Sequence, residues 1–176
     1  MLKWFRKALL HRVYKNTIHG FSKPDRSRNS KILKNISVIL DHRLGIAPSY
    51  FLEIAEHLNV PKKNISVLTF FPHQSEITEE QYQSSYCPKS ISNWGVLNDT
   101  LSDFCKRKSD VLINFYEKDD INLKYISAKK NRKLSIGFTS VDHELNDLIL
   151  EVDAQNIEVF ISECIKYLKI FFTTKK

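Results

Sequence analysis

The chain has 176 residues, 42% hydrophobic and 27% charged, with a formal net charge of +7. A chain of this length forms one domain that buries roughly 70% of its unfolded surface, so it needs neither a metal nor a disulfide to fold. Three cysteines, Cys87, Cys105 and Cys164, are far apart and odd in number, which excludes a disulfide framework and points to a reducing, cytoplasmic compartment. No apolar run reaches the about 18 residues of a transmembrane segment.

The charge is segregated. Residues 1–34 hold ten Lys or Arg against one acid, Asp25, and so carry +9, leaving −2 for the rest. Like charges gathered in one segment repel unless an anionic partner meets them. Residues 2–18 read as a helix with a narrow apolar stripe of Leu2, Phe5, Leu9 and Val13, flanked by Leu10 and Tyr14. Lys3, Arg6, Lys7, Arg12 and Lys15 fill much of its remaining surface. Residues 19–31, HGFSKPDRSRNSK, read as a linker that adds Lys23, Arg26 and Arg28. The stretch lacks the apolar core and cleavage site of a secretory signal, although an Arg-rich, acid-poor transit peptide has a similar composition. A basic arm over residues 1–30 followed by an α/β domain over 31–176 is the expected organisation.

From Lys34 the pattern alternates. Ile36 to Leu40 is an apolar, β-branched run and predicts a strand. Pro48 suits the first turn of a helix ending near Leu58. Ile65 to Phe71 predicts a second strand. Pro72 to Asn93 is irregular, with room for a short edge strand around Tyr82 to Cys87, and a helix follows from about Asn98 to Lys106. Residues 110–138, DVLINFYEKDDINLKYISAKKNRKLSIGF, read as strand, helix and strand, one βαβ unit, which implies parallel pairing. Residues 147–152 predict a last strand and Asn156 to Phe172 a closing amphipathic helix. Five principal strands alternating with helices make a single doubly wound, mostly parallel sheet, flavodoxin-like or Rossmann-like, with strand order 2-1-3-4-5.

Ligands of such sheets sit beyond the carboxyl ends of the strands. That rule selects Asp41, His42 and Arg43 after the first strand, His73 after the second, and Asp119 and Asp120 after the third as a possible ligand site. The three aspartates have the hard oxygens a divalent cation prefers, but Asp is also the ordinary helix cap at such places, and no metal is assigned. There is no GxGxxG or GxxxxGK[ST] among only four glycines, and Gly45 alone is placed to approach a phosphate, so no nucleotide cofactor is expected. There is no HExxH, CxxC or GxSxG. Cys87, before Pro88, could act as a thiol nucleophile with His73 or His42, or be an inert buried cysteine.

The segments Trp94-Gly95, Asp110 to Tyr116, Lys133 to Gly137, Asp142 to Ile149 and Val159 to Leu168 resemble a family of small uncharacterised proteins of Bacteroidota, over most of residues 34–170. The resemblance implies no activity and no catalytic residues. Residues 110–138 alone also resemble the acceptor half of bacterial heptosyltransferases. Those enzymes use a second domain for the nucleotide sugar, and this chain is too short to hold one.

The function expected from these features is a non-enzymatic α/β binding module whose arm (Lys3, Arg6, Lys7, Arg12, Lys15, Lys23, Arg26, Arg28) engages RNA, on the ribosome or elsewhere. Basic residues interleaved with Trp4, Phe5, Tyr14 and Phe21 suit RNA phosphates and bases. The same pattern suits an anionic membrane surface, or a helix packed on the domain with its charges in water. A small enzyme or ligand-binding domain acting at the strand ends is the other alternative.

Overall fold

A computed structural model describes residues 2–19 and 32–172. Lys23, Arg26 and Arg28 lie outside those residues, as does the side chain of Lys3. The first helix, α1, spans Leu2–His19. The sheet is built from β1 (Ile36–Asp41), β2 (Ile65–Phe70), β3 (Ser85–Tyr86), β4 (Ser109–Phe115), β5 (Arg132–Phe138) and β6 (Leu148–Leu150). The remaining α-helices are α2 (Tyr50–Leu58), α3 (Asp99–Lys106), α4 (Ile121–Lys129) and α5 (Ile157–Phe171).

All strand pairs are parallel, in the order β3-β2-β1-β4-β5-β6. The five principal strands thus follow the expected doubly wound order, and β3 adds a sixth at the edge. The order reverses between β1 and β4, which share register from Ile36↔Val111 to Leu40↔Phe115. Every residue of these two strands is buried, as continuous apolar runs in the middle of a parallel sheet must be.

The two faces of the sheet differ in chemistry. Over one, α2 and α5 pack together on a cluster of rings. Phe115 meets Phe51, Phe138 and Phe160 with centroids 5.2, 5.1 and 4.9 Å apart, in edge-on geometries. Such pairs contribute about 0.5–1.5 kcal/mol each beyond their burial. Over the other face lies α4, tied down by polar groups. The Tyr116 hydroxyl is 2.7 Å from Ser127 Oγ, which lies 2.8 Å from Asn114 Oδ1 and 3.0 Å from the Leu123 carbonyl. Asn114 Nδ2 donates to Asn146 Oδ1 at 2.7 Å. The Asn146 amide lies across β5 so closely that a Cβ on Gly137 would come within 2.5 Å of its Nδ2.

Residues Ile121 to Ala128 of α4 are buried without exception. Sheet packing alone would leave one side of the helix in water, and α1 covers that side. Among the described side chains of α1, Leu10 and Tyr14 are buried, with Val13 and Ile18 packed beside them. Of the expected stripe, Val13 packs inward with the expected flank of Leu10 and Tyr14, Leu9 is half-buried, and the side chains of Leu2 and Phe5 lie outside those described. The Tyr14 hydroxyl donates to Asp142 at 2.8 Å, and burial and this bond push its pKa up. The loop at Trp94-Gly95 closes the same joint. Gly95, at φ 77°, accepts a 2.8 Å bond from Tyr125, and a Cβ there would lie 3.0 Å from Val13. A left-handed backbone pressed against two side chains leaves glycine as the residue that fits.

Candidate functional site

Asp41 ends β1 fully buried, and an ionised carboxylate there needs a counter-charge. Arg43, two residues on in a short 3-10 turn, supplies it. Its backbone N–H and Nε donate to Asp41 Oδ1 at 3.0 and 2.8 Å, and Nη2 donates to Oδ2 at 2.7 Å. Gly45 ends the turn by returning its N–H to the His42 carbonyl. The same guanidinium lies 3.3 Å from Asp120 Oδ2. Burial works to lower the pKa of Arg43, but the bonds and charges of Asp41 and Asp120 outweigh it and the net shift is upward.

Asp120 is also the N-cap of α4. Its Oδ1 accepts from the Asn122 backbone N–H at 3.0 Å and from Asn122 Nδ2 at 2.8 Å, satisfying an orphan donor of the first helical turn. Arg43 thus joins the ends of β1 and β4 where the strand order reverses. Asp41 and Asp120 face one guanidinium, while Asp119 is ion-paired with the buried Lys124, whose hydrogen bond lowers the Asp119 pKa. Among the described residues, no group of three or more His, Cys, Asp or Glu is placed to hold a metal ion.

Beside this clasp opens a cleft of about 690 Å³. Four segments line it: Arg6 and Lys7 of α1, residues 72–75 after β2, residues 87–89 after β3, and residues 119–122 leading into α4. The arm cations and the strand-end residues, two separate groups in the sequence, meet here. Of the strand-end residues, His73, Asp119 and Asp120 line the cleft. Asp41 and Arg43 stand behind Asp120 in the clasp, and His42 stacks on Phe71 at 4.2 Å. Cys87 is buried, its Sγ 3.9 Å from Ser90 Oγ.

Arg6 has a different place from the one its sequence position suggests. It points inward, with Nη2 donating to the Pro88 carbonyl at 2.5 Å, the Ile91 carbonyl at 3.3 Å and Asn122 Oδ1 at 3.2 Å. It is a strut between α1, the loop after β3 and α4. Lys7, Arg12 and Lys15 remain exposed. Between them His11 is half-buried, and burial together with Lys124, Lys7 and Lys15 lowers its pKa. Burial is the main cause of that shift; the three lysines add to it and Asp119 opposes them.

Lys89, Asn122 and Lys124 escaped the sequence reading. Lys89 sits in an irregular stretch with no periodicity. Lys124 reads as an ordinary exposed helical lysine, yet it lies beneath α1 with Nζ 5.2 Å from the Tyr14 ring centroid. The docking of α1 adds Arg6 as a partner of Asn122 and Tyr14 as a neighbour of Lys124, and no local pattern encodes that docking.

The chain matches no curated protein and no solved structure. Residues 6–171 match the model of a family of unknown function, DUF6913. That span takes in most of α1 together with the whole α/β sheet, and the chain belongs to this family.

Proposed function

We propose that this protein is a non-enzymatic binding module for RNA, associated with the ribosome, whose contact surface is the outward side of α1 and the basic linker after it. The observation that carries this reading is the arrangement of α1. The helix contains no acid, its inward residues hold it on α4, and Lys7, Arg12 and Lys15 stay in water. A rigidly mounted basic helix meets a phosphate backbone with less ordering cost than a free arm. The same docking disfavours the membrane alternative, because three residues of the apolar side that would enter lipid, Leu10, Val13 and Tyr14, are occupied by the domain. No described helix is long and apolar enough to cross a membrane. The test is sedimentation of the tagged chain from its own cells over sucrose. Ribosome association that is lost on RNase treatment supports the proposal, and a protein that stays at the top of the gradient or follows lipid vesicles opposes it.

One observation favours a second reading, a small-ligand site at the strand ends. The cleft lies where doubly wound sheets bind ligands, and its size falls within the roughly 300–1,000 Å³ of small-molecule sites.

A further inference from the structure

We propose that the cleft binds a phosphate monoester of mononucleotide size, held at the phosphate by Lys7 and Lys89. The inference rests on the second reading above and names its ligand class. It follows from how the charges of the cleft are already spent. Asp119 is paired with Lys124, while Asp41 and Asp120 share the one charge of Arg43, so a single uncompensated carboxylate charge stands against Arg6, Lys7 and Lys89. Arg6 is committed to two carbonyls and the Asn122 amide. The remaining cations of the lining are Lys7 and Lys89. Both are exposed, and neither takes part in a hydrogen bond or ion pair with a described residue.

The two ammonium groups come from different directions, one from α1 and one from the loop after β3. A phosphate monoester carries between one and two negative charges near neutral pH and accepts several charge-assisted hydrogen bonds. It therefore matches a pair of lysines without hydrogen-bonded partners among the described residues, of which Lys7 also lies in the field of Asp119, better than a carboxylate with a single charge does. About 690 Å³ is far more room than a lone phosphate fills, so the ligand brings a body. Pro72, Pro88 and Ile121 give that body apolar surface, and His73 gives it an aromatic ring on which a base can stack. The phosphate has two possible sources, a free mononucleotide or the 5′-phosphate end of an RNA strand. The second would place the end of the strand in the cleft and its backbone along α1.

The experiment titrates the full chain with AMP, with adenosine, and with one ten-nucleotide RNA carrying either a 5′-phosphate or a 5′-hydroxyl. The expected result is that AMP binds at least tenfold more tightly than adenosine. Lys7→Gln and Lys89→Gln should each remove most of that ratio at unchanged melting temperature. If the 5′-phosphate also tightens RNA binding, the source is an RNA end. If only AMP shows the preference, the source is a free nucleotide, and both outcomes support the inference. Equal binding of AMP and adenosine, or none of either at millimolar concentration, overturns it. RNA that binds with no regard to its 5′ group, with no AMP preference, leaves the RNA reading standing and removes this one. AMP binding without any RNA binding does the reverse.

Discussion

At Lys130 the chain buries an ammonium group that an ordinary lysine would keep in water. Nζ donates to the carbonyls of Phe104 and Arg107 at 2.6 and 2.5 Å and lies 4.6 Å from the Phe104 ring centroid. Those carbonyls end α3, where the helix dipole favours a cation. Burial still pushes the lysine down to about 8. The unfolded chain, with an ordinary lysine near pKa 10.4, therefore holds more protons than the folded one between about pH 8 and that value. Stability must rise with pH across this window relative to a chain without the group. Urea unfolding of the native chain and of Lys130→Met should show the native chain gaining up to ~3 kcal/mol on the variant between pH 7.5 and pH 10.5, since each tenfold difference in proton affinity between the two states is worth about 1.36 kcal/mol. A difference independent of pH would place the amine in water. The Asn114–Asn146 bond gives a second test at this scale. Asn146 and Asp147 both precede the last strand, where polar side chains often bond nearby backbone. Asp147 does bond backbone, that of β5: its Oδ2 accepts from the Ser135 N–H and hydroxyl, each at 2.9 Å. Asn146 itself reaches across the sheet. Asn146→Ala should cost about 1–3 kcal/mol by leaving the buried Asn114 amide unpaired. Gly137→Ala should cost more in the native chain than in the Asn146→Ala background, because the clash is with the Asn146 amide. Equal costs in both backgrounds would separate the two sites.

Among the elements, α1 is the one whose role could be read only in part from its own residues. Its helical period, its charge and its apolar side were legible, but that the flank of Leu10 and Tyr14 would be the most buried part was not. Leu9 and Val13 stand one residue, about 100°, from Leu10 and Tyr14, and both pairs have helical spacing. Arg6, one turn before Leu10, looks like an outward cation until its carbonyl partners are in view. Burial decides the matter: Leu10 is fully enclosed and Tyr14 nearly so. Leu10→Ala should lower stability by about 2–5 kcal/mol, the usual range for a fully buried leucine. It should also speed amide exchange in α1 and α4 together. A loss confined to α1 would mean that the helix is held separately from the core. Tyr14→Phe, which removes the bond to Asp142 and keeps the ring, should cost about 0.5–1.5 kcal/mol. The other elements were more open to reading, since β1, β4 and β5 are apolar runs of strand length and α5 carries one broad apolar face. The two-residue β3, which pairs only with Thr69 and Phe70, has no pattern long enough to define its ends.

For the whole molecule, parallel pairing and strand order followed from the alternation of strand and helix, because a parallel crossover admits few arrangements. The rule of strand ends then led to His73, Asp119 and Asp120. It could not show that α1 comes back across the loop after β3 to bring Arg6 and Lys7 to the same cleft, because that return depends on contacts distant in sequence, such as Tyr14 with Asp142 and Arg6 with Asn122. In the proposed function, the exposed cations of the docked α1 carry the affinity for RNA. Its most direct test is the salt dependence of single-stranded RNA binding by the full chain and by the variant Lys7→Gln, Arg12→Gln, Lys15→Gln. At roughly 0.7 per phosphate contact, log K against log salt should be about 2 shallower in the variant, with an unchanged melting temperature. An unchanged slope, or native protein that fails to bind RNA at low salt, would contradict it.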